Sequence, residues 1–205
     1  MFTGANVTEK MGWGEALQSR VKVHLLILVA LLVVFRFVNL HVLYFVQNRP
    51  VSIPFHDPLL ESFQSMPDGT WINIIIFLTL CSLVGLFYKF PLRLILLGQA
   101  MLIMYCTRWV PMFLCPLAAP PGVTYIQDFV SYGGGQISRD LFFSGHTGLL
   151  ILLLLVSDGW KSRLFLILML FTLVALLLLG HIHYMLDIFC APFFAYASFS
   201  MSRQM

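Results

Sequence analysis

The sequence predicts an all-α integral membrane protein in which six transmembrane helices form a bundle. Of the 205 residues, 60% are hydrophobic and only 10% are charged, and the mean hydropathy is +0.90. A water-soluble domain of this length cannot hide so much apolar surface, because much of any globular surface must face water. The apolar residues also occur in long Leu-rich runs without strict alternation, which favours helices over a membrane β-barrel.

Runs of about 20 apolar residues match the ~30 Å hydrocarbon core of a bilayer. The polar segment 1–22 carries Trp13 and is expected at the cytoplasmic interface, and 201–205 is expected to be a cytoplasmic tail. One six-span domain, 23–200, lies between them, and the polar turn 157–161 separates its fourth and fifth spans. The predicted spans are 23–46, 71–88, 92–115, 141–156, 164–180 and 182–200.

Basic residues predict the orientation, because cytoplasmic loops of membrane proteins are rich in Lys and Arg. Six crossings place both termini and the turns near 90 and 160 on one side, with eight of the twelve basic residues. The opposite side carries only Arg49 and Arg139, whereas Arg36 and Arg108 lie inside spans. Both termini are therefore expected in the cytoplasm, and the loops 47–70 and 116–140 on the outer side.

Two short motifs place ionisable side chains at the ends of apolar segments, where such groups are costly and usually functional. His146 lies at the start of the fourth predicted span, and His183 and Asp187 lie at the start of the sixth. Both starts fall on the outer side in the predicted topology. The sequence therefore predicts that the two motifs form one site at similar depth.

His183 and Asp187 are four residues apart, which on a helix places both on one face, about a turn from each other. The carboxylate then accepts a proton from one ring nitrogen and leaves the other nitrogen free as a nucleophile or base. This pairing also stabilises the imidazolium. A histidine–carboxylate pair is often only a structural hydrogen bond, so the spacing alone leaves both interpretations open.

The motif Ser144-Gly145-His146-Thr147 precedes a long apolar run. Ser144 is a candidate helix N-cap and Gly145 allows close backbone approach, so the helix N-terminus suits a phosphate. The alternative is an ordinary helix start in which His146 only caps or snorkels. Asp140 is expected either to orient His146 or to cap the helix.

Two arginines inside spans need partners or water. The guanidinium of Arg108 or Arg36 suits a phosphodiester, although a structural ion pair or snorkelling is the favoured interpretation of Arg36. Asp57 and Glu61 lie on the first outer loop, where a solvated face is expected.

The sequence predicts no metal site, no cofactor and no nucleic-acid partner. The four cysteines lie in or beside apolar runs without CxxC spacing, and are interpreted as small buried side chains. The formal charge of +3 is small, and no basic run carries interleaved aromatic residues. Membrane lipids are the expected partners, and the oligomeric state, including a homo-oligomer, stays open.

The run 140–147, together with His183-Tyr184-Met185-Leu186-Asp187, resembles the sphingomyelin synthase family. That family lies within the type 2 phosphatidic acid phosphatase-like group. It has an aspartate four residues before SGHT and an HYxxD motif in the last span. Two weaker similarities are the segment 54–58 and the prolines after Arg108, which match the family's elements only in part.

The resemblance implies phosphotransfer between lipids at the lumenal or extracellular leaflet, without a metal. By analogy, His183 attacks the phosphorus of a phospholipid carrying phosphocholine or phosphoethanolamine and releases diacylglycerol, while Asp187 steadies it. His146, oriented by Asp140, then protonates the leaving alcohol and deprotonates the acceptor hydroxyl, which belongs to ceramide in the family. The predicted substrate-binding residues are Ser144, Gly145, Thr147, Arg108 and Tyr184.

Three alternatives stay open. A lipid phosphate phosphatase typically carries a Ser-Arg pair where this chain has Leu176-Leu177, and a Lys before Arg-Pro that Arg49-Pro50 lacks. Because this chain lacks those basic residues, a phosphodiester is a better substrate for the predicted site than a phosphomonoester dianion. A phospholipase C-like hydrolase and a non-enzymatic lipid-binding protein are the other two.

Overall fold

The fold is that of an α-helical membrane protein, as the sequence predicts. The computed structural model describes residues 12–18, 21–50, 52–66, 69–88, 90–124, 139 and 141–205. Apart from one isolated parallel bridge between Ile53 and Leu117, regular structure in these residues is helical. The α-helices are α1 (Trp13–Gln18), α2 (Val21–Asn48), α3 (Thr70–Phe87), α4 (Pro91–Leu114), α5 (Gly145–Val156), α6 (Trp160–Leu179) and α7 (Met185–Ser202).

Each of the six predicted apolar runs contains one apolar helix, α2 to α7, and the polar N-terminal segment contains the additional short helix α1. The indole of Trp13 on α1 donates a hydrogen bond to the backbone carbonyl of Tyr88. The interpretation of the cysteines as buried is wrong: Cys81 is exposed on α3, and Cys106, Cys115 and Cys190 are only partly buried. In an apolar helix such an exposed position faces lipid, where a small weakly polar thiol is tolerated.

Four of the described helices, α2, α4, α6 and α7, are long and apolar enough to cross a bilayer. The twelve residues of α5 rise only about 18 Å, which is short of the ~30 Å hydrocarbon core. Six apolar helices are therefore present in the described residues, whereas six complete crossings stay a prediction.

Three predicted spans begin three or four residues too early or too late, and the sixth starts at Met185 instead of 182. The fourth starts at Gly145 instead of 141, because Phe142 adopts a left-handed backbone (φ 114°) that no helix accommodates. The fifth starts at Trp160 instead of 164, directly after Gly159, whose φ of 88° ends the preceding turn.

Contacts between helices show that their directions alternate along the chain. Leu28 approaches Gly98 and Phe35 stacks on Trp109 at 5.4 Å, so α2 and α4 run parallel. Gly145 approaches Arg108 and Gly148 approaches Met104, so α5 runs antiparallel to α4. Ile72 approaches Gly180 and the Ser82 hydroxyl meets the Met169 sulfur, so α3 and α6 are antiparallel as well.

The ends of α2, α4 and α6 and the starts of α3, α5 and α7 consequently lie together, at what we call the motif end of the bundle. Its two loops are tied to it by hydrogen bonds from the backbone amide of Met66 to the Leu179 carbonyl and from that of Thr124 to the Gly180 carbonyl. At the opposite end, the guanidinium of Arg93 pairs with Asp158. Both motifs are thus held at one end of the bundle.

The main apolar core is formed by the five helices α3, α4, α5, α6 and α7, which approach one another closely where side chains are small. Apolar surface gains little from leaving lipid, so association of membrane helices depends mainly on close packing and interhelical hydrogen bonds. Gly148 is such a position, because a Cβ atom there would lie 2.7 Å from the buried Met104 sulfur. Phe143, before α5, stacks on Phe194 of α7 at 4.4 Å.

The Gly148→Leu substitution should therefore destabilise the fold by about 1–3 kcal/mol, the usual cost of overpacking. Gly85→Leu is the matched control, since a Cβ atom on Gly85 of α3 meets nothing within 4 Å. Equilibrium unfolding in mixed micelles measures both. Equal effects of the two substitutions would contradict the α4–α5 packing described here.

Candidate functional site

The carboxylate of Asp187 joins the two motifs. Asp187 is fully buried in the first turn of α7. Its Oδ1 accepts from the backbone N–H of Phe142 at 3.0 Å, and its Oδ2 accepts from the backbone N–H of Tyr184 at 3.1 Å. Its backbone carbonyl accepts from the N–H of Ser144 at 3.1 Å. One residue therefore fixes the start of α7 and the segment that leads into α5.

The same carboxylate binds His183, whose Nδ1 lies 3.1 Å from Asp187 Oδ2. An ionised carboxylate only accepts hydrogen bonds, so Nδ1 carries the proton and Nε2 carries the lone pair. His183 is buried, and its Nε2 makes no hydrogen bond with the described residues. The pair is thus oriented for chemistry at Nε2.

The prediction that His183 and Asp187 share a helix face is wrong. α7 begins only at Met185, after Tyr184 as N-cap, and His183 lies in the turn that follows α6. His181 enters this turn with a left-handed φ of 50°. The pair forms because Asp187 occupies the third position of the helix and its side chain reaches back over the N-cap.

Ser144 is the N-cap of α5, as predicted. Its hydroxyl oxygen accepts from the backbone N–H of Thr147 at 3.3 Å and from the Thr147 hydroxyl at 3.0 Å. The amide of Gly145, first in the helix, makes no hydrogen bond with the described residues. This N-terminus therefore presents a donor and the positive end of the helix dipole beside the Asp187 backbone.

Gly145 also allows the close approach predicted for it. A Cβ atom there would lie 2.9 Å from Arg108 Nη1 and 2.9 Å from the Tyr105 ring. The Arg108 guanidinium lies over the Phe143 ring, 5.5 Å from its centroid, and the Tyr105 hydroxyl donates to the Gly145 carbonyl at 3.3 Å. A buried cation therefore lies directly against the N-terminus of α5.

His146 is the second residue of α5 and is half-buried. It lies two positions after Ser144, whose amide is bound to Asp187, so both histidines belong to segments that Asp187 connects. Asp140, the predicted partner of His146, lies outside the described residues.

Sequence reasoning missed the role of Asp57. The sequence predicts that the Asp57 side chain faces solvent, but Asp57 is buried. Its Oδ2 accepts a hydrogen bond from the backbone N–H of Met185, the first residue of α7, at 2.7 Å. Its Oδ1 accepts from the N–H of Leu59 at 3.1 Å. The contact joins positions 128 residues apart, so no local pattern signals it. Glu61 is exposed as expected and pairs with His56 at 2.6 Å.

Tyr184 precedes α7 and is almost fully buried. Its hydroxyl donates to the carbonyl of Ala118 at 3.1 Å, and its ring packs edge-on against Phe55 at 5.0 Å. Burial, then the charges of Asp187 and Asp57, raises the pKa of Tyr184 to about 12. The phenol thus stays protonated at neutral pH and fastens the second loop to the start of α7.

Arg49 and Arg139 fasten the rest of the motif end. Arg49 donates from Nη1 to the Met112 carbonyl at 2.7 Å and from Nη2 to the Leu117 carbonyl at 3.1 Å. Arg139 donates to the Arg49 carbonyl at 2.6 Å. Burial, then the charge of Arg139, lowers the pKa of Arg49. Both arginines therefore donate hydrogen bonds to backbone carbonyls near the site.

Within the described residues, no group of three or more His, Cys, Asp or Glu side chains is placed to hold a metal ion.

Comparisons with known proteins support the broad level of the family resemblance. Residues 139–204, which contain both motifs, match the family model described as PAP2 superfamily C-terminal. The crystal structure of Aquifex aeolicus LpxE aligns with 82% of this chain and 96% of that chain, at 14% identity and a TM-score of 0.48. No curated protein matches the chain.

The contact of Asp57 with α7 gives a test of how the site is held. Asp57→Asn removes the charge that faces the first amide of α7 and should cost about 0.5–2 kcal/mol, as other losses of helix caps do. Glu61→Gln, four residues away and exposed, should change stability by under ~0.5 kcal/mol. Unfolding in mixed micelles measures both, and a neutral Asp57→Asn would contradict the assigned cap.

Proposed function

We propose that this protein transfers a phospho-head group, phosphocholine or phosphoethanolamine, from a phospholipid to ceramide or a related lipid alcohol, and releases diacylglycerol. The observation that carries the proposal is the buried Asp187 carboxylate, which binds His183 Nδ1 and also the segment leading into α5. This arrangement provides a nucleophilic nitrogen beside a helix N-terminus suited to a phosphate.

In the first half-reaction, His183 Nε2 attacks the phosphorus of the phospholipid, forming an N–P bond as the P–O bond to diacylglycerol breaks. His146, protonated at the start, gives its proton to the leaving oxygen. Asp187 keeps its hydrogen bond to Nδ1 and stabilises the positive charge that the ring gains, without itself taking the proton.

In the second half-reaction, neutral His146 takes the proton from the hydroxyl of the acceptor lipid. The resulting oxygen nucleophile attacks the phosphorus, the N–P bond breaks, and both histidines return to their starting states. Arg108 and the amide of Gly145 stabilise the phosphoryl oxygens in both steps, since charge-assisted donors in a water-poor site are effective there. Ser144 and Thr147 hold the helix N-terminus in place.

The superfamily match at 139–204 supports phosphoryl chemistry on lipids as the broader class of activity. A phosphodiester donor is preferred over a phosphomonoester because of charge. Near the described site, Arg108 is the cation placed against the N-terminus of α5, which suits a phosphodiester better than a phosphomonoester dianion.

We also propose an orientation in which both termini are cytoplasmic and the motif end faces the lumen or the exterior. The described basic residues at the opposite end support it, because cytoplasmic ends of membrane helices are enriched in Lys and Arg. They are Lys22, Arg93, Lys161, Arg163 and Arg203. In this arrangement, the substrate head groups lie in the non-cytoplasmic leaflet.

Liposomes with head-group-labelled phosphatidylcholine or phosphatidylethanolamine, with and without ceramide, test the reaction class. The expected result is labelled head group on ceramide together with one diacylglycerol per transfer. Diacylglycerol without any need for ceramide would identify a phospholipase C-like hydrolase instead. Inorganic phosphate from phosphatidic acid would identify a phosphatase, and no turnover of any donor would leave a lipid-binding protein.

Substitutions at the proposed nucleophile and its partner test the mechanism. His183→Ala should abolish transfer, and Asp187→Asn should lower kcat by at least about 100-fold, given losses of ~10⁴ for the carboxylate of a serine-protease triad. His41→Gln is the control histidine, since His41 is exposed and, among the described residues, binds only the carbonyl of Phe37 on its own helix. Transfer by His183→Ala at the rate of the unmodified protein would refute the mechanism.

A further inference from the structure

An aromatic stack lies beside the N-terminus of α5 and joins three parts of the bundle. Phe143, in the segment before α5, is fully buried and stacks on Phe194 of α7, with ring centroids 4.4 Å apart and an interplanar angle of 9°. The Arg108 guanidinium of α4 lies over the Phe143 ring, 5.5 Å from its centroid. We propose that Phe143 and Phe194 are positioning residues that hold Arg108 where it binds the phosphate of the donor lipid, an inference that rests on the function proposed above.

The guanidinium is held against the first residue of α5. A Cβ atom on Gly145 would lie 2.9 Å from Arg108 Nη1 and 3.4 Å from Arg108 Cζ. The backbone amide of Gly145 belongs to the same residue, so a cationic donor and an amide donor are neighbours at this helix N-terminus. A phosphodiester has two non-bridging oxygens that such a pair of donors can bind together.

The ring of Phe143 orders the cation before a lipid binds. An arginine side chain has several rotatable bonds, so ordering it costs conformational entropy. The face of an aromatic ring attracts a guanidinium, and the attraction is stronger where water is excluded. Arg108 is only 6% exposed, so its contact with the ring is largely desolvated. Less entropy is then lost on binding, which favours affinity for the phosphate.

One helix supports both the ring and the proposed nucleophile. Phe194 lies seven residues after Asp187, about two turns along α7, so the two side chains project from the same side of the helix. Asp187 binds His183, and Phe194 stacks on Phe143. α7 therefore places the nucleophilic nitrogen and, through the stacked rings, the Arg108 cation relative to each other.

Fluorinated phenylalanines at position 143 test the proposal in the whole protein. They keep the shape of the ring but weaken the negative potential of its face, so they change the cation contact without removing core packing. The probe is a phosphonate analogue of phosphatidylcholine or phosphatidylethanolamine, in which CH₂ replaces the oxygen between glycerol and phosphorus and prevents transfer. Successive fluorines should raise its Kd, by about tenfold in total for Phe143→trifluorophenylalanine.

Two controls separate the cation contact from general effects of fluorine. Phe35→trifluorophenylalanine should leave the Kd unchanged, since that ring stacks on the Trp109 indole at 5.4 Å. Arg108→Met should itself raise the Kd. In that background the fluorines at Phe143 should have no further effect, because residues that act through one contact are not additive.

Phe194 is tested by a matched pair of substitutions on α7. Phe194→Leu removes the ring that stacks on Phe143 and should raise the Kd about three- to tenfold. Phe193→Leu, at the next position and exposed on the other side of the helix, should leave the Kd unchanged.

The outcomes separate this inference from the proposed function. An unchanged or lower Kd with trifluorophenylalanine at position 143, or an equal rise in the Arg108→Met background, would overturn the inference while the transfer reaction stands. Failure of the unmodified protein to bind either phosphonate would also overturn it, and the liposome assay decides transfer independently. A Kd that fluorine raises only when Arg108 is present, in a protein that transfers no head group, would support the inference and refute the proposed function.

Discussion

The buried Asp187 carboxylate is the constraint on which the rest of the motif end depends. A charge removed from water is costly unless hydrogen bonds replace its hydration. Asp187 meets this requirement with the backbone amides of Phe142 and Tyr184 and with Nδ1 of His183. These donors come from two segments that are distant in the sequence. The hydrogen bonds that stabilise the buried carboxylate therefore also bring the two motifs together.

The surroundings of Asp187 show how an apolar bundle holds a small polar site. Close packing holds α7 in the bundle, and hydrogen bonds at its N-terminus add the directional contacts that orient the polar site. Asp57 accepts from the first amide of α7, and Tyr184 fastens the second loop through Ala118. Arg108 reaches the other helix N-terminus across Gly145, where any larger residue would displace it.

The sequence predicts the helices well because their signal is local. Each apolar run contains one helix, and Ser144 caps α5 as its position before Gly145 indicates. The sequence-based predictions are wrong where contacts between residues distant in the chain determine the local structure. The left-handed Phe142 delays the start of α5, and its amide is held by Asp187 from 45 residues away. The burial of Asp57 depends on Met185.

We propose that Asp187 orients His183 so that Nε2 becomes the covalent acceptor of the phospho-head group. The most direct measurement is rapid acid-free quenching of the protein with head-group-labelled phospholipid in the absence of acceptor, followed by peptide mass spectrometry. We predict a head-group phosphoryl adduct on His183 that disappears when ceramide is added. An adduct on a different residue, or none while transfer proceeds at its full rate, would refute covalent catalysis by His183.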